Sequence, residues 1–416
     1  MRKWLLLTVL LSGEIVLSAW ALHSSAEPLY FQIRVVDKET GRGVPLVELE
    51  TIHHLLYVTD NNGIVAFYEP GLMGQEVYFS IRGHGYEYPA DGFGFRGVRL
   101  KAVPGSRATI TMQRVNIAER LYRITGAGLY RDSILTHYPV PVRRPLINAY
   151  VLGQDSVQQA VYRGKIYWFW GDTQCLNYPL GNFHATGATS ELPGSKTLDI
   201  EQGLDLDYFR NQEGFVKAIC PMPGKGPTWI TAVMVVGQGE RARLYAGYAK
   251  VRGLLDIYQR GLAVFDDAKQ QFVPLTVYPE KALLYPDGHT FVRKEADGEY
   301  IYFANPFPLV RVPAKESALS DCRQYEAYTC LARDSSGNLR PERNPVGKLV
   351  YAWKKDTPPL RTKELSRYIQ SGAVKAQESL IQLRDVLTHK RIEPHSGSVY
   401  WNAWRRKWIA IILEQE

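Results

Sequence analysis

From about residue 30 onward, apolar and polar positions alternate in short runs broken by Gly, Asp and Asn. Tyr30 to Val36 alternates, Asp37 to Gly43 is a polar turn, and Val44 to Thr51 is the next run. The turn Asp60-Asn61-Asn62-Gly63 leads into Ile64 to Tyr68, and further runs cover Val77 to Arg82, Gly97 to Ala102 and Ala108 to Arg114. About seven short strands over residues 28–115 predict a β-sandwich. Residues 116–150 then read as a linker. Asn116 to Ile124 has the pattern of a short helix, and Pro139, Pro141 and Pro145 enforce extended chain. Leu121, Tyr122, Leu129, Tyr130 and Leu135 make this linker a packed one.

The pattern changes again over 151–416, where one unit recurs. Its first copy runs from Gly153 through Asp155 to the strand Gln158 to Tyr162, the turn Arg163-Gly164, and the aromatic strand Lys165 to Trp170. Further copies start at Thr228, at Asp287-Gly288-His289 and at Glu393-Pro394-His395. Their hairpin turns fall near 164, 238, 298 and 405, about 74, 60 and 107 residues apart. The last gap contains Lys363 to Leu387, where Leu365, Ile369, Val374, Leu380, Leu383 and Leu387 give a helical apolar face. Sheets repeated at this period predict a β-propeller. The overall expectation is therefore an all-β chain, a sandwich followed by a propeller. Three sheets and half of a fourth leave the propeller short of closure, so it is read as truncated at its C-terminal end.

Composition narrows the function classes. Apolar residues at 45% and aromatic residues at 12% can build a large core. The net charge of +8 comes with no Lys/Arg run interleaved with stacking aromatics, which argues against nucleic acid and leaves room for an anionic polysaccharide. Residues 1–21 have the charged start, apolar stretch and Ala19-Trp20-Ala21 ending of a secretory signal, so the chain is expected in the periplasm, at the cell surface or secreted, with no stable membrane span. In an oxidising compartment Cys322 and Cys330 are close enough in sequence to bridge a local loop, leaving Cys175 with Cys220. The cysteine spacing fits no zinc pattern, and His53, His54 and His84 have no third ligand at a sensible spacing.

Three separated carboxylates, Asp155, Asp287 and Glu393, each open one of the repeated units. Single-displacement glycoside hydrolysis needs one carboxylate to activate water and one carboxylic acid to protonate the leaving oxygen, about 6.5–9.5 Å apart. The acid must keep its proton near neutral pH, through burial or a neighbouring negative charge. A propeller would bring residues remote in sequence to one central funnel. Two resemblances carry this further. The order strand, Gly turn, Gly43-Val44-Pro45-Leu46 strand and Thr59-Asp60-Asn61-Asn62-Gly63 turn resembles the transthyretin-like, carboxypeptidase-regulatory-like module, which implies an accessory domain. Asp155 before its strand pair, Asp287 before Phe291, and Glu393-Pro394 before Tyr400 resemble the five-bladed propeller glycosidases of family 43 and its relatives, families 32, 117 and 130.

That resemblance implies Asp155 as general base, Asp287 as the residue tuning the acid, and Glu393 as the acid. The chain departs from the pattern in having Ser156 after Asp155 and Gly288 after Asp287. Candidate sugar-binding residues are His289 and His395, each two positions after a carboxylate, the stacking aromatics Trp168, Trp170, Trp229 and Trp401, and Arg293 for an anionic substrate. Asp172, ending the aromatic strand, reads as a rim ligand or turn cap. No redox cofactor and no metal ligand set is implied, and a structural calcium ion is left open. The competing expectation is a propeller that binds carbohydrate or protein without catalysis. A polysaccharide lyase ranks below both.

Overall fold

The strand Phe31–Asp37 puts Phe31, Ile33 and Val35 on one face, all almost fully buried, because side chains two apart share a side of a sheet. In the computed structural model, which describes residues 28–176, 178–195, 199–253 and 255–415, this strand is central in its sheet. The expected signal segment lies outside the described residues. Phe31–Asp37 pairs antiparallel with Ile64–Phe67 and parallel with Arg107–Arg114, and Tyr86–Glu87 closes the sheet. A second antiparallel sheet runs Leu56–Val58, Glu48–Thr51, Glu76–Arg82, Gly97–Lys101. Leu49, Phe79 and Ile81 of the second sheet meet Ile33, Val35 and Phe67 of the first in one core. This is the sandwich the alternation predicts.

The linker departs from expectation. Residues 116–124 form no helix, because the Arg123 backbone is held by a side chain instead. Asn61 accepts from the Arg123 N–H at 2.8 Å and donates to its carbonyl at 3.0 Å. The helix of this region is Arg131–Leu135. Asp60 accepts from both the N–H and the hydroxyl of Ser133 at 2.7 Å, fastening that helix to the turn of the sandwich.

Beyond the linker the chain builds a series of antiparallel meanders. Sheet I contains Gln158–Tyr162, Lys165–Trp170, Thr186–Glu191 and Asp207–Tyr208. Sheet II contains Thr228–Val236, Arg243–Arg252, Asp256–Asp266 and Gln271–Val277. Sheet III contains His289–Glu295, Gly298–Ala304, Val310–Pro313, Glu326–Thr329 and Ala352–Lys354. Sheet IV is the hairpin Pro394–Asn402 with Lys407–Glu414. Each starts where the repeat places it, and the chain is all-β in character.

Sheet II is apolar on both faces. Val233, Leu244, Ala246 and Ala263 pack on Tyr162, Phe169 and Phe209 of the sheet I side. Ala232, Met234, Tyr245 and Leu262 pack on Ile301, Phe303 and Val312 of sheet III. Sheet IV leans on sheet III through Trp408, whose ring lies 4.7 Å from that of Phe291. The first strands of successive sheets are neighbours: Gln158–Tyr162 beside Thr228–Val236, that strand beside His289–Glu295, and that one beside Pro394–Asn402. The Gln159 side chain of the first strand of sheet I lies near the Tyr400 hydroxyl of the first strand of sheet IV.

Two further expectations are corrected. The insertion is α-helical over Thr362–Gln370, with a further short 3-10 turn at Ala376–Glu378. Gly372 follows in the left-handed region (φ 76°) and donates back to the Ile369 carbonyl, a common way for a helix to end. The four cysteines form no disulfide. Cys330 is buried with Leu331 and Leu360, whereas Cys322 packs against the core shared by sheets II and III, so the two thiols serve different clusters. Cys220 is buried in the core between sheets I and II, and burial pushes its thiol well above the usual range.

Candidate active site

Asp155 sits just before the first strand of sheet I, exposed, and its backbone is pinned against the end of the second strand. Its carbonyl accepts from the Gly171 N–H at 2.9 Å, and its own N–H donates to the Asp172 carbonyl at 3.3 Å. Glycine at 171 leaves room for the Asp155 carboxylate to lie against the end of the strand. A Cβ there would stand 2.5 Å from Asp155 Oδ1. The close approach sets two carboxylates side by side. Burial, and then the Asp155 charge, raise the Asp172 carboxyl above its ordinary value, while the nearby Trp229 side chain acts in the opposite direction. Asp172 Oδ1 is buried without a hydrogen-bond partner. Trp229, the second residue of the first strand of sheet II, also donates its indole N–H to the Phe183 carbonyl at 3.0 Å.

Asp287 precedes the first strand of sheet III. Its Oδ2 accepts from Asn305 Nδ2 at 2.9 Å and from Arg361 Nη1 at 2.7 Å. The Gly288 N–H donates to the Thr231 carbonyl of sheet II, and Thr231 in turn donates its hydroxyl to the Pro286 carbonyl at 2.8 Å. The neighbour of Arg361, Thr362, donates its hydroxyl to the Pro394 carbonyl at 3.1 Å. Consecutive residues thus tie Asp287 to the start of sheet IV, next to Glu393, which is exposed. Hydrogen bonds run from Thr231 of sheet II through Pro286 and Gly288 to the Asp287 turn, and from Asp287 through Arg361 and its neighbour Thr362 to Pro394. All of these lie at or near the entry ends of the first strands, or contact residues there.

The secondary candidates divide. Trp170 is 4% exposed and packs on Tyr208, so it offers no face to a sugar. Trp168 stacks on Trp170 and donates its indole N–H to Ser190 Oγ at 2.8 Å, which also makes it part of the sheet I packing. Trp401 is half exposed and meets Trp408 edge to face. His289 is partly buried, and burial lowers its imidazole below the usual range, favouring the neutral ring. His395 is exposed. Arg293 pairs with Glu295 at 3.2 Å on the outer part of its strand. Among the described residues no group of three or more His, Cys, Asp or Glu is arranged to hold a metal ion.

Arg361 and Asn305 were not legible as site residues. Asn305 is 18 residues from Asp287 and Arg361 is 74. The only sequence signal for Asp172 was its place at the end of an aromatic strand, and the signal for its pairing with Asp155 was the glycine before it. One consequence is measurable. Because the folded-state value of Asp172 lies above the unfolded one, its ionisation costs stability at neutral pH, and this cost fades as pH falls through the raised value toward the ordinary 3.8. Asp172→Asn is therefore expected to melt at a higher temperature than wild type at pH 7. The difference should shrink below about pH 4 in a pH series of thermal melts.

No protein-family model matches the chain, and no curated protein matches it.

Proposed function

We propose that this protein is a glycosidase-like enzyme, exported from the cytoplasm, in which sheets I to IV are blades of a propeller and a poly- or oligosaccharide is cleaved by carboxylate acid/base catalysis. The observation that carries the reading is the exposed Asp155 carboxylate held against Asp172, at the same strand ends as Asp287 and Glu393. Asp155 activates water. Glu393 protonates the leaving oxygen. Asp287, fixed by Arg361 and Asn305, tunes the field around the acid. Asp172 stands directly behind Asp155, and its carboxyl carries the effect of that pairing.

A specific signature separates acid from base. For a natural glycan, Glu393→Gln is expected to lower turnover about a thousandfold, as general acid loss typically does. For an aryl glycoside whose phenolate leaves without protonation, the same variant should lose less than about tenfold. Equal losses on both substrates would remove Glu393 from the acid role. A wild-type chain that cleaves nothing in a broad glycan panel would favour the second reading, a propeller that binds carbohydrate or protein without catalysis. That reading draws on one observation: Arg361 already occupies Asp287 Oδ2.

A further inference from the structure

Arg293, the cation expected for an anionic substrate, is taken up by Glu295, but sheet II supplies another. A cavity of about 270 Å³ lies between the outer strands of sheet II and the connection that leads to Asp287. Its walls include Ile257, Tyr258 and Arg260 of Asp256–Asp266, with Val277, Glu280 and Tyr285 from the end of Gln271–Val277 onward. The volume approaches the roughly 300 Å³ at which small-ligand sites begin. Trp229 pairs with Ala249 and Ala249 with Arg260, so Arg260 stands in the same cross-strand row as Trp229, at the entry end of sheet II. Two strand spacings put their backbones about 10 Å apart. Tyr285 is two residues before Asp287, at most about 7 Å along the chain. The cavity therefore flanks the candidate site.

Tyr258 is the extra residue of a bulge, because Val251 pairs with Ile257 and Lys250 with Gln259. A bulge re-aims a side chain, and here the Tyr258 hydroxyl is fixed by donating to the Lys225 carbonyl at 2.7 Å. Arg260 stands 4.5 Å over the Tyr285 ring, and its Nε is buried without a hydrogen-bond partner. Among the described residues no carboxylate pairs with it, and Glu280, the acid of the lining, is exposed. A half-buried guanidinium with its planar fork of donors unspent is a receptor for an oxyanion.

We propose that this cavity holds a uronic acid unit, its carboxylate on Arg260, so that the glycan lying across the strand entries is an acidic polysaccharide. This rests on the reading of those strand ends as a glycan site. Arg260 receives the carboxylate on the edge of the guanidinium that Tyr285 leaves free. Ile257, Val277 and the Tyr258 ring offer an apolar wall to the carbon face of the sugar. One cation with Glu280 beside it suits a single negative charge better than a phosphate, which carries nearly two.

The test is isothermal titration calorimetry on the full chain, as wild type and as Asp155→Asn, which holds a substrate uncleaved. The probes are oligosaccharides of galacturonate, glucuronate and mannuronate, each beside its carboxyl-reduced neutral counterpart, with polyglutamate and a sulfated oligogalactan as rival anions. At least one uronate should bind about tenfold more tightly than its neutral counterpart, the worth of one charge-assisted pair. Arg260→Gln should remove that preference while leaving the neutral affinity and the melting temperature near wild type, and Arg260→Lys should keep part of it. Glu280→Gln should strengthen uronate binding about threefold by removing a like charge. Added salt should erode the uronate preference alone. No preference for any uronate, a preference that survives Arg260→Gln, or equal binding of polyglutamate or the sulfated chain overturns the proposal. Cleavage of neutral glycans without a uronate preference overturns it and leaves the glycosidase reading standing. Arg260-dependent uronate binding with no cleavage of any glycan supports it and removes catalysis.

Discussion

Asp155→Asn is expected to lower glycan hydrolysis about a thousandfold while leaving the melting temperature close to wild type, because the residue is exposed and its anchoring bonds are made by its backbone. The amide keeps the shape of the carboxylate and loses its ability to take a proton from water. Unlike Glu393→Gln, the loss should be the same for a natural glycan and for an aryl glycoside, since both need the attacking water activated. A second effect travels with it. With the Asp155 charge gone, only burial still raises Asp172, so its carboxyl titrates lower. The acid-side gain in stability that wild type derives from Asp172 should therefore begin at lower pH in the variant. Kinetics on the two substrates, together with melts over pH 3 to 7, check both parts. Unchanged turnover in Asp155→Asn would remove Asp155 from the chemistry, and an unmoved stability profile would show that its charge does not reach Asp172.

Gly288→Ala is expected to cost about 4 kcal/mol, at the upper end for a single substitution, because two independent penalties coincide. Gly288 has φ 107°, a conformation L side chains rarely adopt, and an added Cβ would lie 2.2 Å from the Ala304 carbonyl oxygen. That oxygen belongs to the second strand of sheet III, paired in register with His289, and cannot rotate away without breaking the ladder. The N–H of the same residue donates to Thr231 of sheet II, so relief by backbone movement would pull two sheets apart. Asp287 is the adjacent residue, and its bonds to Asn305 and Arg361 would be displaced with it. Urea unfolding of the variant should show a midpoint far below wild type. A loss under about 1 kcal/mol would mean the loop has room that the geometry does not provide.

Why some of this was readable from the sequence and some was not follows from the range of the interactions. Period-two alternation and glycine turns are local, so the sandwich strands and the starts of sheets I to IV could be placed from them. The same holds for the turns at Gly164 and Gly298, where positive φ demands the residue present. The expected helix at 116–124 failed because its backbone partner, Asn61, lies 62 residues away. Lys363 to Leu387 carried an apolar period past the true helix end, and Gly372 was the local stop signal that the period outweighed. For the site, the carboxylates at strand mouths could be picked out individually. What surrounds each of them could not, since Arg361 reaches Asp287 across 74 positions and Trp229 reaches Asp172 from the next sheet. The tryptophans show the converse limit. Trp170 and Trp401 are indistinguishable by type and context, yet one is sealed in a core and the other half open, which only packing decides.

The two-sided burial of sheet II has a consequence for how the molecule comes apart. Strand Arg243–Arg252 is buried over eight consecutive residues, with sheet I on one side and sheet III on the other. No part of it can exchange its partners for water while both flanks are in place. Fluctuations that reach it must first lift a neighbouring sheet, which makes sheet II the last element to open and ties the strand ends bearing Asp155 and Asp287, one on each flank, to a single cooperative unit.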